Sequence, residues 1–588
     1  MRSRWRLSFA IHPVLGAALL LLVMLTVLSG CAPGWPFPQP TPDPKLPDAQ
    51  QILRPLELGP NAGDLATLDP ALINFTVDYA KAQLLFPGLV TLDEQQRVVD
   101  WAAERHEVSA DGLTYTFHLR KGMVWSDGAP ITAETFAYSI NRALDPCTRS
   151  DVASYLYNIK GAANFNGASV YDSSTCPAGT KASSDTLIGK SIVVADPLTL
   201  KLTLEAPAGY FLAMLSYPTS WAVPRQLIDQ YGDQWTEHLA DHDGFGGNLF
   251  TLTRWDHQGH LDFARNERFW GNKPPLRRIE YTLYRDPGAA WRAYKEGGGD
   301  LVQPVLQENT QAKTLAGSTY VAVPLLSMKY PRLNWRKAPF DDVRVRQAFW
   351  LAIDRQALMQ TVTSQLTQLP LAQSTMHLLI EGAPEYNADL RDPAGRTGAQ
   401  ALSADLATAR ALVTAYAAEK CGGRLAQCPP VDYYFNGFSP EAIRRADALV
   451  AQWQAAFPGW QISYGWCDRC TQLDTSWSHP LSNGSWIADY PDGQDFLSLL
   501  WRTGAPYNKT MSLPLADTLL DQADVSNDQA LRTRLYQQAE QLLVIQVAVI
   551  PLFQYQDAYV VRSRVVGWRI APTGQTPLSV WQTAYLTR

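Results

Sequence analysis

Leu113-Thr-Tyr115-Thr-Phe117-His-Leu119-Arg120, followed by Trp125-Ser-Asp127-Gly128-Ala-Pro-Ile-Thr132-Ala133, packs a strand, a turn and a helix start into one short span. Tyr115, Phe117 and Leu119 alternate with polar residues, the period of a half-buried strand. Ser109-Ala-Asp111-Gly112 reads as a turn, which predicts a hairpin over 107–120. Ser126-Asp127-Gly128 is a second turn. Thr132 then caps a helix that carries Glu134 in its first turn and Phe136, Ile140 and Ala143 on one face. The same alternation of elements continues outward. Ile192-Val193-Val194, Asp196-Pro197 and Leu200, Leu202 and Leu204 predict another hairpin, and Ile279, Tyr281 and Leu283 another strand. Gly298-Gly299 closes a helix before a strand. A single capped helix is predicted from Asp341 to about Val362, with Ala348, Leu351, Ala352 and Leu358 inward and Arg344 and Arg346 free for ion pairs. Leu531, Leu535, Ala539, Leu542 and Leu543 mark a late helix, and Val547–Val561 has strand composition. Interleaved helices and strands throughout predict an α/β architecture in several lobes.

The chain has 588 residues, enough for three or four structural units. It is 46% hydrophobic and 18% charged with 19 Trp, which excludes disorder. Fifty basic against 56 acidic residues leave a formal charge of −6, so nucleic acid is not expected as a partner. Seven cysteines are too few for a disulfide-dense scaffold.

Arg2, Arg4 and Arg6 precede an apolar run from Val14 to Leu28, and Leu28-Ser29-Gly30-Cys31 follows. The order is that of a signal peptide, and the run is short for a spanning helix. Its end resembles the bacterial lipobox, which implies a signal peptide over 1–30 and a diacylglyceryl group on Cys31. Pro33, Pro36, Pro38, Pro40, Pro42, Pro44 and Pro47 then predict an extended stalk over 31–50. An exported protein anchored by lipid to the outer face of the cytoplasmic membrane, or in the periplasm, is expected.

The remaining cysteines fall in local pairs, Cys147/Cys176, Cys421/Cys428 and Cys467/Cys470, and export favours disulfides. A zinc site built from Cys421, Cys428, Cys467 and Cys470 competes, although only the last pair has C-x2-C spacing. Ser184-Asp-Thr-Leu-Ile-Gly189-Lys190-Ser191 lacks the first glycine of a phosphate loop and opens a strand rather than a helix. His238-Leu-Ala-Asp-His242 with Asp243 reads as a solvated helix end in preference to a metal site. No H-E-x-x-H or G-x-S-x-G motif is present, so a binder is expected over an enzyme, without cofactor or metal.

Four collinear segments resemble the bacterial extracellular solute-binding proteins of family 5, and among them the oligopeptide binders of ABC importers. The first runs from Leu85-Phe-Pro-Gly-Leu89 through Ala103-Glu104 to Trp125–Ala133. The second is Arg265-Asn266-Glu-Arg-Phe269-Trp270 with Gly298-Gly299-Asp300, and the third Lys337-Ala-Pro-Phe340 through Ala352-Ile-Asp354-Arg355. The fourth is Trp486-Ile-Ala-Asp489-Tyr490-Pro-Asp492 with Asn508 beyond it. The resemblance implies an α/β periplasmic-binding-protein-like fold of the class II, cluster C type, with a cleft between two lobes. Lobe I would comprise 51–86, 206–326 and 556–588, an extra subdomain 87–205, and lobe II 327–555. Asp489, flanked by Trp486 and Tyr490, would hold a peptide ammonium. Asn483, Gly484, Ser485, Trp486 and Ile487 would pair with the peptide backbone as a strand, with Asn74 and Thr76 facing them and Asn436 nearby. The partners implied are a peptide and a membrane permease, and a monomer is expected. Positions that carry basic residues for the peptide carboxylate in oligopeptide binders are here Asn483, Asp474 and Ala442. An oligosaccharide binder of the same family is therefore the alternative, favoured by 19 Trp; a surface hydrolase is the alternative from another class.

Overall fold

A computed structural model of the chain describes residues 44–167, 186–241, 243–305, 308–363, 371–436, 440–467, 479–505 and 507–588. The signal peptide, Cys31, Cys176, His242, Cys470, Asp474 and most of the predicted stalk lie outside them. The chain divides into two compact units. Among the described residues the terminal unit comprises Pro44, Lys45 and Thr587–Arg588, where Lys45 bridges Thr587 and Arg588 N donates to Pro44 O at 3.2 Å. The unit 46–586 holds everything below. At its start, Asp48–Gln50 forms a short 3-10 turn and Leu46 N donates to Leu586 O at 2.9 Å.

A long mixed sheet forms the frame. Its main path runs Ile462–Cys467, Val431–Asn436, Leu481–Ile487, Ser327–Leu333, Phe553–Arg562, Leu301–Val302, Pro55–Leu58, Arg278–Tyr284, His260–Arg265 and Phe250–Trp255. Two large cores sit along it. One draws its side chains from Leu53 to Leu301 and from Val561 to Leu586, the other from Leu326 to Phe553. A small cluster of Leu56, Trp291, Tyr294, Val302 and Val560 lies near the crossing. Tyr490 is the exception in chain order: it is fully buried in the first core, although its neighbours Ala488 and Phe496 belong to the second.

The hairpin predicted over 107–120 is present as Ala103–Val108 paired with Thr114–Leu119. Gly112 makes its turn at φ +70°, where a side chain would be strained. Thr199–Thr203 and Ile192–Asp196 complete a four-stranded sheet. The helix Ala133–Leu144 covers it, with Thr135 Oγ1 accepting from Thr132 N at 3.1 Å and Phe136, Ile140 and Ala143 buried. This sheet shares the first core instead of enclosing one of its own.

Three expectations change. The helix predicted over Asp341–Val362 is two, Val343–Leu351 and Arg355–Thr363. Asp342 caps the first through Arg344 N, and Asp354 Oδ1 caps the second by accepting from Ala357 N at 2.9 Å. Arg344 pairs with Asp342 and Glu419 as expected. Arg346 instead donates to the carbonyls of Phe340, Asp341 and Gln546, and stacks 3.7 Å from the Trp335 ring centre. The late strand begins at Phe553, because Val547 takes φ +52° to end the helix Gln529–Ile545 before the strand starts.

Candidate functional site

The strand Leu481–Ile487 pairs along its whole length with Ser327–Leu333. On its other edge it meets Val431–Asn436 only at Leu481 and Ser482. From Asn483 to Ile487 that edge carries no partner strand among the described residues. Such an edge is a template for an added strand. Gly484 lies opposite Tyr330, whose buried ring covers it, so a Cβ here would run into the ring. Gly484→Ala is therefore expected to cost about 1–3 kcal/mol by overpacking, measured as a lower denaturation midpoint; an unchanged midpoint would show that Tyr330 gives way freely.

Beyond the strand, Ala488 N donates to Leu326 O at 2.7 Å, which fixes where Asp489 emerges. Asp489 is half-buried. Tyr155 OH donates to its Oδ2, and its own N–H donates to Asp495 Oδ2 at 3.3 Å. Asp495 is fully buried, and Trp486 Nε1 donates to the same oxygen at 2.9 Å. Asp495 Oδ1 has no partner, which leaves room for a proton there. Burial, then the nearby Asp489 charge, pushes the Asp495 carboxyl well above the usual range. Burial also raises Asp489, to about 6, while the Tyr155 hydrogen bond opposes the rise. Desolvation thus separates the two acids: the fully buried Asp495 is raised furthest, and Asp489 is the readier of the two to bear charge.

Tyr490 does not face the ligand space. It is buried, stacked at 6.5 Å on Tyr210 and edge-on to Tyr155 at 6.2 Å, and its hydroxyl donates to Gln494. Trp486 stands edge-on to Tyr507 at 5.0 Å. Asn483 Oδ1 accepts from Tyr433 OH at 3.4 Å and from a guanidinium nitrogen of Arg445 at 3.3 Å. Arg445 is buried on the helix Pro440–Ala456, one turn after Ala442. Asn436 ends its strand opposite Cys467.

The facing wall comes from the start of the chain. Asp69 accepts from Ala71 N at 3.0 Å, from both terminal nitrogens of Arg142 at 3.0 and 2.6 Å, and from Trp235 Nε1 at 3.0 Å. Despite its desolvation, the Arg142 guanidinium holds this carboxyl below the usual range. The loop after it carries Asn74 and Thr76, and Thr76 opens the helix Thr76–Leu85. Asn74, Thr76 and Asp489 line one small cavity of about 50 Å³ with Tyr217 and Thr573. A larger cavity of about 340 Å³ adjoins it, with Thr76 and Ile487 among its walls. Of the predicted residues, Asn74, Thr76 and Asp489 share the smaller cavity and Ile487 lines the larger one, whereas Tyr490 packs in the first core.

Tyr155 and Asp495 were not anticipated. Asp495 completes an i, i+3, i+6 series with Asp489 and Asp492 that is visible in the sequence. Tyr155, 334 residues away, gives no such signal. Cys421 and Cys428 form a disulfide, so neither offers a thiolate to zinc. Cys147 and Cys467 are disulfide-bonded as well. His238 is held by Asp241 at 2.8 Å and stacks on Tyr231, and no metal-binding cluster occurs among the described residues.

Comparison with known proteins agrees with this geometry. Residues 97–508 match the family model of the bacterial extracellular solute-binding proteins, family 5 Middle. The chain is 30% identical over 537 residues to the Probable deoxycholate-binding periplasmic protein YgiS of Escherichia coli, covering 90% of this chain and 93% of the relative. It is 27% identical over 544 residues to the periplasmic oligopeptide-binding protein OppA of Salmonella typhimurium, covering 91% and 92%. Among solved structures, the unliganded open form of the periplasmic murein tripeptide binding protein MppA superposes with a TM-score of 0.72 at 23% identity, covering 93% of this chain and 99% of that one. Haemophilus influenzae OppA in complex with the peptide RPPGFSPFR superposes at 0.66 with 21% identity, covering 92% and 99%. These structures share the two-lobed fold with its interlobe cleft. The chain belongs to the bacterial extracellular solute-binding proteins of family 5.

Proposed function

We propose that this protein captures peptides in its cleft and delivers them to an ABC permease for import. The observation that carries the reading is the coincidence of the cavity-lining Asp489 carboxyl with the strand edge Asn483–Ile487, unpaired among the described residues. A peptide lying along that edge places its ammonium at Asp489 and donates and accepts main-chain bonds whatever its sequence. Toward the far end it meets Asn483, whose side chain accepts from the buried Arg445. An anionic sterol acid such as the deoxycholate in one relative's name would meet the Asp489 carboxylate instead, and would be repelled. Native mass spectrometry of the purified protein tests the reading: co-purified peptides are expected, and a co-purified sterol acid or sugar would replace it. A surface hydrolase would return cleaved ligand, whereas a binder returns it intact; we take the protein to be a binder without catalytic activity and a monomer.

We keep the domain division drawn from the sequence; in its support the chain crosses between the two cores near 325–327 and 553–560. Lobe I then comprises 51–86, 206–326 and 556–588 with the subdomain 87–205, and lobe II 327–555; closure about the crossing would present the loaded protein to the permease. Export fits the family. Lipid anchoring rests on Leu28-Ser29-Gly30-Cys31 and the prolines after it. Cys31→Ser is expected to release the protein from membranes or leave the precursor uncleaved, as read by fractionation and intact mass. Normal processing with unchanged membrane retention would remove the anchor from this account.

A further inference from the structure

The larger cavity carries a charge that backbone capture of a peptide does not use. Its volume of about 340 Å³ lies within the roughly 300–1,000 Å³ of small-molecule sites. Three charged side chains line it: Glu57, Lys81 and Asp557. Lys81 is buried, ion-paired with Glu57, and 4.3 Å from the Tyr281 ring centre, so that pair cancels within the wall. Asp557 remains. It is half-buried, and its carboxylate has no hydrogen bond or ion pair among the described residues. Burial alone pushes its carboxyl up, to about 6, with no cation to oppose the rise.

The surroundings suit a cation. Tyr555, Asp557 and Tyr559 alternate along the strand Phe553–Arg562, and all three line the cavity with Trp568. Aromatic faces around a desolvated carboxylate attract an ammonium or guanidinium, and the apolar walls accept the methylene stem that carries it. Thr76 and Thr573 line both this cavity and the smaller one at Asp489, so the two spaces share a wall. We propose that this cavity is a side-chain subsite for a basic residue near the amino end of the ligand, with Asp557 receiving its cation. The inference rests on the peptide reading above and adds a preference that main-chain pairing alone does not give.

Calorimetry on the mature protein tests it with alanine tripeptides carrying Lys, norleucine or Nε-acetyl-lysine at each position in turn. At one position, Lys is expected to bind about tenfold tighter than either neutral analogue, a step of 1.4 kcal/mol. Asp557→Asn is expected to abolish that preference while leaving the affinity for norleucine peptides unchanged. The wild-type comparison needs no variant, so a folding defect cannot hide the result. If all three side chains bind alike at every position, the subsite is wrong and peptide capture stands. A Lys preference that persists in Asp557→Asn also overturns it. If no tripeptide binds, peptide capture falls and the subsite with it.

Discussion

Asp489→Asn is expected to weaken a free-amine peptide at least tenfold, about 1.4 kcal/mol. The loss approaches the roughly 2–5 kcal/mol of a truncated buried charge pair if the closed cleft is dry. The substitution keeps the shape and removes the charge. Of the two carboxyls at the site, Asp495 is fully buried and raised well above the usual range, whereas Asp489 lines the cavity, so Asp489 is the one placed to balance an ammonium. An N-acetylated peptide is expected to bind weakly to wild type and to lose little more in the variant. That coupling separates a direct contact from general damage, which would weaken both ligands alike. The pH dependence has a definite sign. The raised carboxyl of Asp489 titrates near 6 in the empty site. Affinity for an amine ligand is therefore full above that value and falls as the pH drops through it, because the ammonium must then compete with a proton. Calorimetry between pH 7.5 and 5 reads this directly. Equal wild-type affinity for free and acetylated peptides would reject the role of Asp489, and so would an affinity that stays level down to pH 5.

Local chemistry made much of this legible in the sequence. The strand Thr114–Leu119 alternates buried and half-buried as its residues do, and Thr132 and Asp528 stand at the helix starts where short polar side chains belong. The helix break at Ala352–Asp354 was not legible, because Ala352-Ile353 continues the apolar pattern and only Asp354 signals a new cap. Asp489 was found through the segment it sits in. Its environment was not, since Tyr155 arrives from the other half of the chain and the depth of Asp495 depends on tertiary packing. The same holds for Tyr490: an aromatic beside a binding carboxylate suggests a ligand contact, and only the fold shows it filling the core of the first lobe. Asp557 lies in a strand of ordinary composition, and nothing local marks it as unpaired.

Arg532→Met is expected to cost about 3–5 kcal/mol of stability, the range for breaking a buried ion pair by removing one partner. Arg532 and Asp492 are both buried and meet at 2.7 Å. The guanidinium also reaches Tyr536 OH at 3.3 Å and Gln529 Oε1 at 3.2 Å. Two further acids depend on this cation. Burial raises Glu385 and Asp524, each to about 7, with Asp492 raising and Arg532 lowering both. Methionine keeps the stem and much of the volume, so the loss measures charge more than packing. Without the guanidinium, Glu385 and Asp524 lose the cation that opposes their rise and take up protons at higher pH. The variant's deficit is therefore expected to be largest at alkaline pH and to shrink as the pH falls through 7, since protonation relieves the penalty. Adding Asp492→Asn is expected to recover part of the loss. Binding weakens as well, because Asp492 ends the segment that positions Asp489. Denaturant titrations across pH measure the first effect, and calorimetry on folded protein measures the second. A deficit below about 1 kcal/mol, the range of an exposed pair, or one independent of pH, would show that Arg532 does not hold this cluster together.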